Sequence, residues 1–210
     1  MIDGCTVIIN CGIGNINSLK NACLKSAQNI VEVCDAVDLE KLNIKRLILP
    51  GVGAVGPYLE LLRKKGFATA LKSCVLERSI PFLGICVGMQ VLATQCEEFG
   101  MFDGLDFIPG KVEPLRRFNP ALRLPHVGWN TVDLVRNKHS LPELDGEDFY
   151  FVHSNHFICD ETYVAGRTFY GLDFASIVKR NNVQGVQFHP EKSSTAGEFL
   201  IKKFISKGSI

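Results

Sequence analysis

The order of apolar and polar positions predicts strands that alternate with helices through the first half of the chain. Helical spacing is clearest after the first apolar run, where Ile16, Leu19, Ala22, Cys23 and Ala27 recur at intervals of three to four residues. Strands are predicted at 5–10, 46–49 and 81–85, and further helices at 58–64, 68–77 and 87–94. Such an alternation is typical of a mostly parallel sheet covered on both faces.

The second half of the chain has a different pattern. Between residues 107 and 173 helical spacing is rare and turn signals are frequent, among them Pro109-Gly110 and Asp145-Gly146. Strands are predicted at 149–152 and 183–188, and a closing helix at 194–205. We therefore expect one α/β domain over residues 1–210, with a mostly parallel central sheet flanked by helices and a β-rich second half.

The composition is that of a globular protein and argues against nucleic acid and membrane surfaces as partners. Of 210 residues, 46% are hydrophobic and 21% are charged, and 23 basic residues against 22 acidic ones give a net charge of +1. This balance gives no electrostatic basis for binding nucleic acid or a membrane surface. No apolar run is long enough to span a bilayer, and no signal peptide is recognisable.

The eight cysteines are expected to be free thiols. Most stand singly in apolar stretches and no C-x-x-C pair occurs, so a reducing, cytoplasmic setting is favoured. No group of residues has metal-ligand spacing, and we expect no metal site. Gly12-Ile13-Gly14 is not a dinucleotide motif because Asn17 stands where the last glycine belongs, so no cofactor is expected.

One cysteine has a setting that the others lack. Cys86 lies in Gly84-Ile85-Cys86-Val87-Gly88, between a predicted buried strand and a predicted helix. A sharp strand-to-helix turn lifts a nucleophile clear of the sheet, and the flanking glycines permit the strained backbone. Dipoles at the start of the helix favour the thiolate, and the N–H of Val87 is placed to bind an oxyanion. The alternative is a core cysteine between two packing glycines, so the prediction of a nucleophile needs a partner base.

The best candidate for that base is His189. It stands in His189-Pro190-Glu191, directly after the predicted strand 183–188. A histidine at a strand end can meet a nucleophile at the same edge of the sheet, and Glu191 is close enough to orient its imidazole. The other histidines are weaker candidates, for which structural or substrate-lining roles are expected: His126, His139, His153 and His156.

Pro50-Gly51-Val52-Gly53 follows another predicted strand. The carboxyl ends of parallel strands gather at one edge of the sheet, and ligands bind there. Gly51 and Gly53 allow the backbone to turn its N–H groups toward a developing negative charge. By itself the segment could be an ordinary turn at a strand end. Because Cys86 and His189 are predicted at the same edge of the sheet, we expect the segment to supply oxyanion donors.

These motifs resemble the class I (triad) glutamine amidotransferases: G-I-C-V-G at 84–88 with Gln90, H-P-E at 189–191 and P-G-V-G at 50–53. Four further segments are similar to the glutaminase subunits of imidazole glycerol phosphate synthases: N-x-G-x-G-N at 10–15, P-H-V-G-W-N at 125–130, F-V-H-S at 151–154 and G-V-Q-F-H-P-E-K-S at 185–193. The resemblance covers essentially the whole chain. It implies a class I glutamine amidotransferase-like, flavodoxin-like fold.

The resemblance also implies a mechanism. Cys86 would attack the side-chain amide of glutamine, and His189, oriented by Glu191, would protonate the departing ammonia and then activate water to release glutamate from a thioester. Oxyanion and substrate contacts would come from Gly51, Val52, Gly53, Val87, Gln90, His153 and Ser154. In this family the P-G-V-G strand must reorient before the oxyanion hole is complete, so activity waits on a partner.

The implied partner is a separate (βα)₈-barrel cyclase, which forms a heterodimer with the glutaminase and receives ammonia through a tunnel. It converts N'-(5'-phosphoribulosyl)formimino-AICAR to imidazole glycerol phosphate and AICAR in histidine biosynthesis. Asn10, Asn15 and Trp129 match positions near the subunit interface, where an exposed aromatic is a reasonable hot spot. Cys11 and Asn155 depart from the family, which usually carries tyrosine at these positions.

Three alternatives remain open. A paralogous glutaminase subunit would supply ammonia to a sugar amidotransferase that makes acetamidino sugars for surface polysaccharide. A non-catalytic, partner-binding subunit would keep the fold without glutamine turnover, although the intact set of Cys86, His189 and Glu191 argues against it. An esterase or lyase with a similar elbow would turn over small substrates without any partner.

Overall fold

The computed structural model describes residues 4–135 and 141–210. The strands in chain order are β1 Cys5–Ile9, β2 Ile30–Val33, β3 Ile44–Gly51, β4 Phe82–Cys86, β5 Gln95–Glu97, β6 Met101–Asp103, β7 Gly110–Pro114, β8 His126–Leu134, β9 Glu147–His153, β10 Asn155–Cys159, β11 Val164–Phe169, β12 Asp173–Arg180 and β13 Val183–Val186. The α-helices are α1 Ile16–Leu24, α2 Val55–Lys64, α3 Phe67–Lys72, α4 Val87–Gln90 and α5 Ser194–Lys207.

The strands form one sheet whose parallel part comes from the first half of the chain and from β13. The order along it is β2-β1-β3-β4-β13-β12-β10-β7-β5-β6, and the first four of these pairings are parallel. Beyond β13 the pairing becomes mostly antiparallel, and β11, β8 and β9 branch from β12. The predicted fold class, a mostly parallel sheet flanked by helices with a β-rich second half, is confirmed.

The parallel strands are short apolar runs because they are covered on both faces. Every residue of β1 and β4 is buried, which removes the alternation expected of a strand with one wet face. Helix α1 packs against α5, while α2 packs against α3 and α4. The buried apolar side chains of strands and helices form one continuous cluster. The carboxyl end of β4, a central strand, is therefore held by a rigid, close-packed core.

The structure corrects several predicted boundaries. The helix predicted at 87–94 ends at Gln90, because the segment that returns at 105–108 donates backbone N–H groups to the carbonyls of Val91, Leu92 and Ala93. The first helix stops at Leu24 and the last strand at Val186, both earlier than predicted. Strand β2 was not predicted because its four residues, I-V-E-V, are mostly half-buried and give no long apolar run.

Candidate active site

Three neighbouring strands bring the predicted chemistry to one edge of the sheet. Strand β4 lies between β3 and β13, parallel to both. Gly51 at the end of β3 is in register with Cys86 at the end of β4, and Val186 at the end of β13 is in register with Ile85. The segment that follows β13 therefore emerges beside Cys86, and it carries His189.

The backbone at Cys86 is strained, as a nucleophile on a sharp turn requires. Its φ is 56° and ψ is −111°, a conformation that residues other than glycine rarely adopt and that costs roughly 1–3 kcal/mol. The turn closes because both flanking glycines lack a side chain. A Cβ at Gly84 would overlap the carbonyl oxygen of Gly88, and a Cβ at Gly88 would overlap that of Leu49. The G-x-C-x-G pattern is therefore a packing requirement of this elbow.

The thiol of Cys86 is buried but borders a cavity. The residue is 3% exposed, and its Sγ lies 3.6 Å from the carbonyl oxygen of Val152 and 3.8 Å from the amide nitrogen of Gln187. Helix α4, which starts at Val87, has a single turn. Its dipole is therefore weaker than the sequence suggested, and contacts from side chains carry more of the electrostatics.

His189 and Glu191 form a buried pair next to this thiol. His189 Nδ1 lies 2.9 Å from Glu191 Oε1, and both side chains are 4% exposed. Burial alone would lower the pKa of His189. Hydrogen bonds to Cys86 and Glu191, with the negative charges of both groups, outweigh burial and raise the pKa of His189 to about 10 from 6.5. At neutral pH the imidazole is therefore protonated.

The turn that carries His189 is fastened to β9. The backbone N–H of His189 donates to the carbonyl oxygen of Tyr150, and the hydroxyl of Ser193 donates to the carbonyl oxygen of His189 at 2.6 Å. The same hydroxyl accepts from the backbone N–H of Tyr150 at 3.0 Å. Ser193 is fully buried, so these hydrogen bonds fix the backbone that carries the imidazole of His189.

Of the other described histidines, His126 and His153 are paired with each other, whereas the buried Nε2 of His156 has no hydrogen-bond partner. Burial lowers the pKa of His153 to about 3 and the pKa values of His126 and His156 to about 4. His153 Nε2 lies 2.9 Å from His126 Nδ1, and His153 Nδ1 lies 2.8 Å from the carbonyl oxygen of Asn155. None of the three is hydrogen-bonded to a carboxylate as His189 is, although the charge of Glu113 acts on His156. His139 lies outside the described residues.

A cavity of about 250 Å³ opens above the thiol. Its lining includes eight of the residues singled out from sequence: Val52, Gly53, Cys86, Val87, Gln90, His153, Ser154 and His189. Glu191 stands behind His189, and Gly51 lies against Val87 and Tyr58 below the cavity. The tyrosine hydroxyl donates to the carbonyl oxygen of Pro50 at 2.5 Å, which fixes the start of the P-G-V-G segment.

The three residues assigned to a partner interface lie apart from the cavity lining. Asn10 donates from Nδ2 to Glu32 Oε1 at 2.8 Å and accepts from the backbone N–H of Gly12, so its side chain shapes the loop before α1. Asn15 is half-buried and immediately precedes α1. Trp129 on β8 is 54% exposed and packs edge-on against Tyr150. An aromatic this exposed is available to a partner surface.

Several residues of the cavity were not singled out from sequence. Glu98 and Lys192 line it, and Gln187 reaches Cys86 from the last residues before His189. Asn155, which the sequence marked only as a departure from the family, lines it as well. Lys192 directly follows the H-P-E motif, so the sequence could have indicated that it lies near the site. No sequence pattern indicated Glu98, because it comes from the β5–β6 turn, where its carboxylate accepts the backbone N–H of Val55 at 2.6 Å.

Within 4–135 and 141–210 no cluster of three or more His, Cys, Asp or Glu side chains is arranged to hold a metal ion. In the same part of the chain, no helix has the length and apolar character needed to cross a bilayer. All eight cysteines lie in the described part of the chain, and none of them is in a disulfide.

Comparison with known proteins gives a consistent result. Residues 7–207 match the sequence profile of the family described as "Glutamine amidotransferase class-I". The chain is 41% identical over 203 residues to "Imidazole glycerol phosphate synthase subunit HisH" of Zymomonas mobilis, with 94% of this chain and 93% of that protein covered. It is 38% identical over 208 residues to "Imidazole glycerol phosphate synthase hisHF, chloroplastic" of Arabidopsis thaliana, with 97% of this chain and 34% of that protein covered. A solved structure described as "Crystal structure of glutamine amidotransferase" superposes with a TM-score of 0.75 at 21% identity, over 97% of this chain and 99% of that one, which shows a shared fold.

Proposed function

Because the chain belongs to the class-I glutamine amidotransferase family, and within it to the family of HisH subunits of imidazole glycerol phosphate synthase, we propose that it hydrolyses L-glutamine and supplies ammonia to a cyclase. One observation carries the chemical part of this proposal. The thiol of Cys86 borders a cavity beside the imidazole of His189, whose pKa is raised by hydrogen bonds with Cys86 and Glu191. That arrangement suits a thiolate nucleophile paired with an acid.

The reaction begins with transfer of the proton of Cys86 to His189. The raised pKa of His189 favours the imidazolium that this transfer forms. The thiolate adds to the side-chain carbonyl carbon of glutamine, and His189 gives its proton to the nitrogen as the C–N bond breaks. Ammonia leaves and a glutamyl thioester remains. His189, now neutral, takes a proton from water, which attacks the thioester to release glutamate.

The remaining site residues have distinct roles in this scheme. Glu191 orients His189 and stabilises its positive charge, and Val87 offers a backbone N–H to the oxyanion. Val52 and Gly53 line the cavity from the other side, and with Gly51 they form the segment that would complete the oxyanion hole. The substrate-side assignments are Gln90, His153 and Ser154, which line the same cavity.

A separate cyclase is the proposed partner. The plant relative named hisHF is matched over 34% of its length, and its name assigns it to the same synthase as the HisH subunits. We assign Asn10, Asn15 and Trp129 to the interface with this partner, with Trp129 as its hot spot. The lack of disulfides among the described cysteines supports a reducing compartment such as the cytoplasm.

Labelling with a glutamine-analogue electrophile tests the chemistry. We expect peptide mass spectrometry to find the label on Cys86 in the wild-type chain and none in Cys86→Ala. Cys74→Ala is the matched control, because Cys74 is buried outside the cavity and its loss should leave labelling intact. A wild-type chain that stays unlabelled at Cys86, even with the cyclase bound, would contradict the proposal.

The identity of the partner needs a second measurement. The chain is mixed with a histidine-pathway cyclase, and glutamate release is followed with and without the phosphorylated ligand of that cyclase. Stimulation by this ligand is expected if the cyclase is the natural partner. Release that ignores the ligand, but rises with a sugar amidotransferase, would assign the chain to the paralogous branch instead.

A further inference from the structure

A buried chain of side-chain amides runs from the nucleophile to the substrate side of the cavity. Gln187 Nε2 lies 3.8 Å from Cys86 Sγ, and Gln187 Oε1 accepts from Gln90 Nε2 at 3.0 Å. Gln90 Nε2 also donates to the carbonyl oxygen of Asn155 at 3.3 Å. Gln187 is fully buried and Gln90 is 3% exposed, so water does not compete for these bonds.

The hydrogen bonds of this chain of amides all run toward the sulfur. Gln187 directs its NH₂ group at Cys86 Sγ, where it acts as donor and the sulfur as acceptor. The oxygen of Gln187 then faces Gln90, which donates from its own NH₂ group. With the amide nitrogen of Gln90 engaged by Gln187 and Asn155, the oxygen Oε1 is the atom that Gln90 can offer to the cavity it lines.

We propose that Gln187 is a positioning residue that donates a hydrogen bond to the sulfur of Cys86 and fixes the amide of Gln90 with its oxygen toward the substrate. This inference rests on the proposed glutaminase function. It gives Gln187 two separable effects. The donor group stabilises the thiolate beside His189, and the acceptor group keeps Gln90 ready for a hydrogen-bond donor such as the α-ammonium of glutamine.

Two substitutions separate these effects. Gln187→Glu keeps the shape and the acceptor for Gln90 but replaces the donor with a negative charge next to the sulfur. Gln187→Met keeps the approximate volume and removes both groups. Gln184→Met is the matched control, because Gln184 is an equally buried glutamine on β13 whose amide bonds Gly208 and Ile210 at the chain's end, away from Cys86.

The first readout is the rate at which iodoacetamide alkylates Cys86 in the full chain, followed by peptide mass spectrometry between about pH 5 and pH 9. We expect the pH of half-maximal rate to rise by about one unit in Gln187→Glu, because like charges disfavour the thiolate. Gln187→Met should shift it less in the same direction, and Gln184→Met should keep the wild-type profile. Profiles of both Gln187 variants that coincide with the control would overturn the proposal.

The second readout is glutamate release by the complex with the cyclase. Loss of a hydrogen bond to a charged group corresponds to a roughly 10- to 100-fold lower kcat in both variants. We expect KM for glutamine to stay near the wild-type value in Gln187→Glu and to rise in Gln187→Met, since only the latter releases the amide of Gln90. Equal KM values in the two variants would overturn the assignment of Gln90's orientation to Gln187. Circular dichroism checks that each variant is folded.

The two proposals fail in different ways. If the wild-type complex releases no glutamate, the proposed function is wrong, while the alkylation profiles still test the contact between Gln187 and the sulfur. If the wild-type complex is active and the Gln187 variants match it, the function stands and the role of Gln187 is overturned.

Discussion

Replacing Glu191 with glutamine removes one negative charge while keeping the shape of the pair with His189. The amide oxygen can still accept from Nδ1, so the orientation of the imidazole should survive. What is lost is the stabilisation of its positive charge. Both side chains are 4% exposed and 2.9 Å apart, so solvent screens this interaction weakly.

The size of the effect follows from that geometry. A hydrogen bond to a charged group contributes about 1.5–3 kcal/mol, and one unit of pKa corresponds to about 1.4 kcal/mol. In Glu191→Gln the pKa of His189 should therefore fall by about one to two units from its value of about 10. Because a raised pKa stabilises the fold fully below about 6.5 and ceases to do so as pH rises through 10, the variant should also be less stable at neutral pH.

Histidine-labelled protein allows a direct measurement. Nitrogen NMR of the imidazole of His189, assigned by comparison with His189→Asn, reports its protonation as the pH is varied. Glu198→Gln is the matched control, since Glu198 forms an exposed ion pair with Lys25 on the outside of α5 and should leave the titration unchanged. A titration of His189 in Glu191→Gln that coincides with wild type would refute the electrostatic role of Glu191.

Three further predictions test the fold and the interface. Burial lowers the pKa values of His126 and His153 below 6.5, so their contribution to the free energy of unfolding should be complete above pH 6.5. Below pH 6.5 the free energy of unfolding should fall by about 1.4 kcal/mol per buried histidine for each pH unit. The measurement is a drop in Tm between pH 7 and pH 5. Gly88→Ala should destabilise the protein by about 3 kcal/mol or more in urea unfolding, because its Cβ would overlap the carbonyl oxygen of Leu49; a variant of wild-type stability would contradict the close approach. Trp129→Ala should weaken cyclase binding by about 30-fold in calorimetry with little loss of Tm, and unchanged affinity would remove Trp129 from the interface.

Periodicity and local motifs were enough to predict the fold class and the main parallel strands. Short apolar runs that recur between predicted helices are best explained as buried strands of one sheet. The turn around Cys86 is defined by residues that are adjacent in sequence. The single-domain expectation for residues 1–210 stays a prediction. The order of the strands in the sheet could not be predicted, because β13 pairs with β4 only after the chain has passed through the β-rich half. No residue pattern within 183–186 specifies which strand β13 pairs with.

Contacts across the chain account for the parts of the site that sequence did not reveal. Gln187 and Cys86 are 101 positions apart, and Glu98 reaches α2 from 43 positions away. Gln187 is buried and Glu98 is half-buried because distant segments of the chain meet at these positions. The same applies to His153, whose sequence context indicated substrate contact. In the structure both of its nitrogens face protein partners, His126 and the backbone of Asn155, although the residue lines the cavity.

Charge distinguishes the histidines of this site better than their distance from the cavity. His153 and His189 both line the cavity, and both are buried. Burial alone makes an imidazole neutral, which is the outcome for His153, with a pKa of about 3. His189 differs because its hydrogen bonds with Cys86 and Glu191 favour the protonated imidazole, and its pKa is about 10. A base that must hold a proton after taking it from a thiol needs such partners, so the carboxylate two residues along the chain is what makes His189, and not its buried neighbour, the candidate acid and base.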